Sequence, residues 1–242
     1  MPMKNSNVRK KRISRTSANL KTDSSVDKFL QKLEFVRPTN KSHSRLLFSM
    51  DATASREATW DAACQIQGEM FESTANIGNL SVQLAYYRGF NTFHATPWLH
   101  NSAKLIEQMN AVQCAGGYTQ ISKILHHAIS ETKTLRLDAI VFIGDCMEEN
   151  IDELCGLSGE LAMHKVPIFV FHEGNDEVAA NCFQKISQLT GGAYLNFDSA
   201  SAQQLKALLR AVAVYATGGR EALKDYGKRE GGPALRIAGQ VN

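Results

Sequence analysis

The chain has no run of about 18 apolar residues, so it is not expected to cross a membrane as a helix. Its basic N-terminus lacks the apolar segment of a secretory signal. Its Asp and Glu residues also speak against a transit peptide, although the stretch is Ser-rich and contains Arg. Cysteine is sparse and unpaired: Cys64, Cys114, Cys146, Cys155 and Cys182 are odd in number and include no CxxC. That fits reduced thiols in a cytoplasm, packed as small apolar side chains, better than a disulfide framework or a zinc knuckle. Several chemistries lack their parts. Gly116-Gly117 come without the Lys and spacing of a phosphate loop, and no nucleophile elbow supports a Ser-His-Asp arrangement. His126 and His127 are neighbours on a predicted helix, about 100° apart, and cannot chelate one ion together.

What is present is enough apolar material, 43% of 242 residues, for one globular core. The net charge of +3 hides an asymmetry: residues 1–45 carry 12 Lys/Arg against 3 Asp/Glu, and the remainder carries 15 against 21. Residues 1–43 therefore read as a basic, largely disordered tail, with RKKR at 9–12, able to meet nucleic acid or an acidic surface electrostatically. Val26, Phe29, Leu30 and Leu33 recur at helical spacing, so a short segment within the tail is expected to dock as a helix.

Beyond the tail, two kinds of segment alternate. Strands are expected at Leu46–Asp51, Val82–Tyr87, Ala139–Asp145, Pro167–His172 and Ala193–Phe197, with a weaker one at Phe90–Ala95. Three are near-continuous apolar runs (LLFSM, IVFIG, IFVF), the pattern of strands covered on both faces. The Arg88-Gly89 turn makes the weaker strand an antiparallel edge. Helices are expected after Ser55, where Trp60, Ala63, Cys64, Gln67 and Phe71 share a face, and over 101–110, 120–133, 151–164 and 178–190. A last helix carries Leu205, Leu208, Leu209 and Val212. The fold class is α/β: a doubly wound, mostly parallel sheet of about six strands with one antiparallel edge strand and helices on both faces. The Gly-rich, charged residues 218–242 are expected to form a flexible tail, leaving 44–217 as the domain.

In such a fold, ligands sit at the carboxyl ends of the strands. Three polar clusters converge there: Asp51-Ala-Thr53-Ala-Ser55 after the first strand, Thr119 in 115-AGGYTQI-121, and Asp145 in 143-IGDCMEE-149. Each alone reads as a helix cap. Together they offer two carboxylates and three hydroxyls, an all-oxygen set suited to Mg2+ or Mn2+ and poor for zinc. Two carboxylates leave a six-coordinate ion short of negative charge and open to one more carboxylate, which a partner protein would supply. Glu148 and Glu149 add charge nearby, either strengthening cation binding or repelling an acidic partner. Trp98 and Tyr118 are candidates for partner contact, and His172 ends a strand close by as a partly buried side chain.

This pattern resembles the von Willebrand factor A domain with its metal-ion-dependent adhesion site: Asp-x-Ser-x-Ser, a Thr in a Gly-rich loop, and an Asp after the central strand. Here these are Asp51, Thr53 and Ser55, then Thr119, then Asp145, with Thr in place of a Ser at 53 and Gly-Asp-Cys-Met-Glu-Glu where many members have Thr-Asp-Gly. The resemblance spans about residues 44–217 and implies that Thr53, Ser55 and Thr119 bind Mg2+ (or Mn2+) through their hydroxyls. Asp51 and Asp145 would act directly or through water. It implies a module for metal-dependent protein interaction rather than an enzyme, of the bacterial intracellular type, whose partner bears an exposed acidic residue; such relatives often work with AAA+ ATPases. Gly-Asp-x-x-x-Glu at 144–149 also resembles the magnesium motif of haloacid-dehalogenase-like phosphatases, with Asp51 as nucleophile and Lys123 or Lys133 as the required lysine. Position 53 then holds Thr where those enzymes carry their acid.

Overall fold

The computed structural model describes residues 43–57, 60, 80–197 and 202–242. The expected tail at 1–43 with its docking segment at 26–36 therefore lies outside the described residues apart from His43, and so does the helix expected after Ser55 beyond Glu57, apart from Trp60. Six strands form one sheet: β1 (Ser44–Asp51), β2 (Leu80–Arg88), β3 (Thr92–Ala95), β4 (Ala139–Gly144), β5 (Ile168–Glu173) and β6 (Ala193–Phe197). Among the described residues the helices are α1 (Ser102–Asn110), α2 (Ile121–Thr134), α3 (Ile151–Met163), α4 (Glu177–Thr190), α5 (Ala202–Glu230) and α6 (Gly232–Gln240), with a 3-10 turn at Ala54–Arg56.

The strand order is β3-β2-β1-β4-β5-β6, parallel throughout except for the β2–β3 pair at the edge. β1 is central and every residue in it is buried, which is why it reads as an apolar run rather than an alternation. Its side chains divide by parity. Leu46, Phe48 and Met50 join Val141, Phe169, Phe171 and the apolar faces of α1, α5 and α6 in one core layer. Leu47 joins Ile140, Val170 and the buried sides of α2, α3 and α4 in the other. Chain direction along the sheet reverses between β1 and β4, so the topological switch point lies between their carboxyl ends. Met50 pairs with Ile143 there, bringing Asp51 and the residue after Gly144 to the same rim.

The α/β architecture is as expected; the expected edge strand is shorter, with Phe90 in the turn before β3. The expectation of a flexible segment at 218–242 is corrected. The backbone turns at Gly219 (φ 74°, ψ −167°), a conformation open to glycine, and then continues as helix to Glu230. α6 doubles back against it. Ala222, Leu223, Tyr226, Ala234, Ile237, Ala238 and Val241 are all buried in the first core layer. The glycines and charges that suggested fraying are a bend and a solvated face; the spacing of the apolar residues between them carries the structure.

Leu223 is completely buried. Leu223→Ala is therefore expected to lower the unfolding free energy by about 2–5 kcal/mol, read as a lower urea midpoint at unchanged slope. A change within about 0.5 kcal/mol would mean that this segment frays after all.

Candidate metal centre

At the end of β1 the chain turns sharply, and the Asp51 carboxylate, fully buried, accepts the N–H of Thr53 at 2.7 Å through Oδ1. This side-chain turn directs the following hydroxyls back toward the rim. Thr53 Oγ1 lies 3.2 Å from Ser55 Oγ, and Ser55 Oγ donates to Asp145 Oδ2 at 2.8 Å. A chain of oxygens thus links the loop after β1 to the loop after β4. Ligand atoms of Asp51, Asp145 and Cys146 all lie within 4.8 Å of one another.

Capping does not account for these side chains. Thr53 stands at the N-cap of the 3-10 turn yet makes no side-chain cap bond, and Ser55 Oγ is committed to Asp145 and Thr53. α2 begins after Gln120, again without a side-chain cap of its own, and α3 is capped by Asn150, whose Oδ1 accepts from Asp152 and Glu153.

Thr119 sits on the same rim but is tied differently. Its hydroxyl accepts the N–H of Glu148, and its own N–H donates to Glu148 Oε2, both at 3.0 Å. Glu149 accepts the N–H groups of Ile121 and Ser122, at 2.5 and 2.9 Å, and so supplies the cap that α2 lacks. The two glutamates therefore bind backbone amides of the neighbouring segment. Ala115 donates to the Ala52 carbonyl at 3.1 Å, and Tyr118 to the Gly89 carbonyl at 3.3 Å. A Cβ on Gly117 would fall 1.9 Å from Gly89 O, so only glycine permits this approach.

The structure thus brings Asp51, Thr53, Ser55 and Asp145 together directly, and holds Thr119 beside them through Glu148. Trp98 is elsewhere. Arg45, at the opposite end of β1, stacks on its ring at 3.9 Å and pairs with Glu131, while Trp98 Nε1 donates to Glu131 at 2.9 Å. His172 is completely buried: Nδ1 meets the Tyr194 hydroxyl at 2.9 Å and Nε2 the Asp145 carbonyl at 3.1 Å. It braces the backbone of the site. Lys133 pairs with Glu160 on α3 at 3.2 Å, and Lys123 contacts Asn91 and Gln120 on the rim.

Two neighbours escaped the sequence reading. Tyr87, opposite Asp51 in the sheet, is fully buried; burial first, and then the Asp51 carboxylate, hold its phenol well above the usual range. Burial, with Asp145 and Asp51 beside it, pushes the Cys146 thiol up to about 12. No motif announces either, since one is the last inward residue of a strand and the other replaces a loop glycine. Burial leads both shifts, and the neighbouring carboxylates add to them in the direction that favours a nearby cation.

The donors fit a hard divalent ion. They are carboxylate and hydroxyl oxygens, and Asp145 Oδ1 is buried with no hydrogen-bond partner among the described residues. Cys146, the third member of the cluster, is a softer donor than the oxygens and suits softer metals.

No protein-family model matches the chain, and none of the curated proteins does. Solved structures do match. The VWA domain of SpRpn10 superposes with a TM-score of 0.53 at 12% identity, over 67% of this chain and 95% of that one. The pilus adhesin SpaC from Lactobacillus rhamnosus GG gives 0.59 at 13%, over 75% and 31%. Proximal thread matrix protein 1 from the mussel byssus gives 0.53 at 14%, over 73% and 46%. This chain therefore spans nearly all of the first and less than half of the other two. At these identities the likeness shows the fold, which is von Willebrand A-like.

Glu149→Ala leaves two N-terminal amides of α2 without their acceptor and is expected to cost about 1–2 kcal/mol in urea unfolding; a neutral result would mean that water caps the helix equally well. A second prediction concerns the opposite edge, where His127 Nε2 lies 2.9 Å from Gln83 Oε1. Burial holds its pKa below the ordinary 6.5, against the pull of Glu131. Below pH 6.5 the unfolded chain then takes the proton first, so this contribution is complete above that pH and is lost as pH falls. Between pH 7 and 5.5 the wild type should lose more stability than His127→Gln; parallel profiles would contradict the assignment.

Proposed function

We propose that the chain is a module for divalent-metal-dependent protein interaction. Asp51, Thr53, Ser55, Thr119 and Asp145 would hold Mg2+ (or Mn2+), and the partner would present an exposed acidic residue. The observation that carries this reading is the oxygen chain Thr53–Ser55–Asp145, closed across the switch point between β1 and β4 and accompanied by the buried Asp51. Bound there, the ion would supply an electrophilic point for a carboxylate.

The protein's own residues do the positioning. Asp51 shapes the turn that brings Thr53 and Ser55 inward, His172 holds the Asp145 backbone, and Glu148 holds Thr119. The likeness to SpRpn10 and to a pilus adhesin supports an interaction role by analogy of fold alone. The described free thiols, Cys114, Cys146, Cys155 and Cys182, suit a reducing compartment such as the cytoplasm. Among the described residues no helix is long and apolar enough to cross a membrane. An AAA+ ATPase is one partner class that would meet the requirement, and the basic tail would add an electrostatic contact, to nucleic acid included.

Binding without catalysis is favoured over the phosphatase reading on one observation: Glu149, which that chemistry would assign to the metal, caps α2 instead. The test is calorimetry with Mg2+ and Mn2+ on the wild type and on Asp51→Ala/Asp145→Ala, with hydrolysis of a generic phosphate ester followed in the same samples. Saturable binding that the double variant lacks, with no turnover, is expected. Turnover that disappears with Asp51 would transfer the site to the phosphatases, and an absence of metal binding would refute the proposal.

A further inference from the structure

Beside the proposed centre, two large side chains project into solvent in contact with each other. Phe90, in the turn before β3, is 73% exposed, and Tyr118, next to Thr119, is 59% exposed. Their ring centroids are 5.4 Å apart at 71°, edge to face. Single exposed apolar residues are ordinary, whereas a contacting pair on two adjoining loops makes a surface.

These loops have little freedom. Gly89 O accepts from Tyr118 N at 3.3 Å and from Gln120 Nε2 at 3.0 Å, Gly89 N donates to Ala115 O at 3.4 Å, and Gly117 packs against the same carbonyl. The rings therefore stand on a backbone clamp and need little ordering when a ligand arrives. Arg88, fixed by a 2.7 Å bond to Gln113 O, and Lys123 flank them, while Glu148 and Glu149 are turned to backbone amides. Arg88 and Lys123 thus place two cationic groups by the rings.

We infer that Phe90 and Tyr118 form a ledge that takes an apolar side chain adjacent to the acidic residue of a protein partner, with Arg88 and Lys123 favouring acidic flanks. This inference rests on the metal-dependent reading, and it makes the recognised feature an acidic-apolar pair rather than an acid alone. A protein segment is favoured over single-stranded nucleic acid because the two rings, inclined at 71°, offer no two parallel faces to successive bases.

The test uses the full chain with Mg2+ and short fluorescent peptides, read by anisotropy. One peptide carries Asp between Leu and Phe, a second carries Asp between alanines, and a third carries Asn in place of Asp in the first. The first is expected to bind roughly 10-fold tighter than the second. Phe90→Ser/Tyr118→Ser should abolish that difference while Mg2+ calorimetry stays unchanged; circular dichroism checks that the variant is folded. Equal affinities, or a preference that survives in the variant, would overturn the ledge, even where Mg2+-dependent binding of both Asp peptides upholds the metal site. Conversely, a preference that vanishes with the two rings but ignores chelator and the Asn peptide would keep the ledge and reject the metal. If no peptide binds, or if oligo-dT binds and is lost in the same variant, the inference is wrong.

Discussion

Backbone amides in the loop between α1 and α2, and in the first turn of α2, must find acceptors outside any ladder, and the arrangement of the rim depends on how they do so. The N–H groups of Ala115, Tyr118, Thr119, Ile121 and Ser122 go to Ala52 O, Gly89 O, Glu148 and Glu149. An unsatisfied amide in a partly buried loop costs about 1–3 kcal/mol, so three separate segments of chain are drawn into one unit. The loops after β1, β2 and β4 cannot move independently of the segment that carries Thr119. Gly117 makes this possible, because any side chain there would occupy the position of the Gly89 carbonyl.

That clamp would serve no site if the sheet delivered the loops elsewhere. With β1 at the centre and parallel neighbours on both sides, Asp51 emerges between Tyr87 and the end of β4, at the point where the winding reverses. A crevice opens at such a point because successive crossover helices leave on opposite faces. Other groups cap the described helices that begin beyond it: Glu149 for α2 and Asn150 for α3. The hydroxyls of Thr53 and Ser55 are thereby left to the rim, linked to Asp145, while that of Thr119 accepts the Glu148 N–H.

How much of this is legible in the sequence depends on the quantity each signal measures. Apolar runs report burial on both faces, so the central strands, with Asp51 and Asp145 at their ends, can be read directly. Local sequence shows the charge of Glu148 and Glu149 but not the neighbouring amides that they bind. The C-terminal helices are misjudged when glycine is weighed as a breaker over 218–242. There it makes a single bend at Gly219, and buried Leu223, Tyr226, Ile237 and Val241 hold the helical segments beyond it. Trp98 goes astray for a topological reason: Leu99 bonds back to Val82 near the start of β2, and so carries the tryptophan to the far edge beside Arg45. Periodicity predicts elements; it does not report which end of a sheet a connecting segment will visit.

The electrostatics of the rim tie the two proposed ligands to each other. Asp51 and Asp145 converge with Cys146, and the neighbouring phenol and thiol are both displaced toward their neutral forms, so the pocket resists further negative charge. An acidic side chain approaching it without a cation meets that same resistance. With a divalent ion in place the sign of the interaction reverses, and the carboxylate gains what it would otherwise lose. Under the proposed function the partner must then tighten the metal by the same factor as the metal tightens the partner, since coupling free energy is reciprocal. A surface ledge of two aromatic rings stands outside this electrostatic coupling, because apolar contact is indifferent to the ion. It would therefore set which acidic partner is chosen, while the ion sets whether any is held.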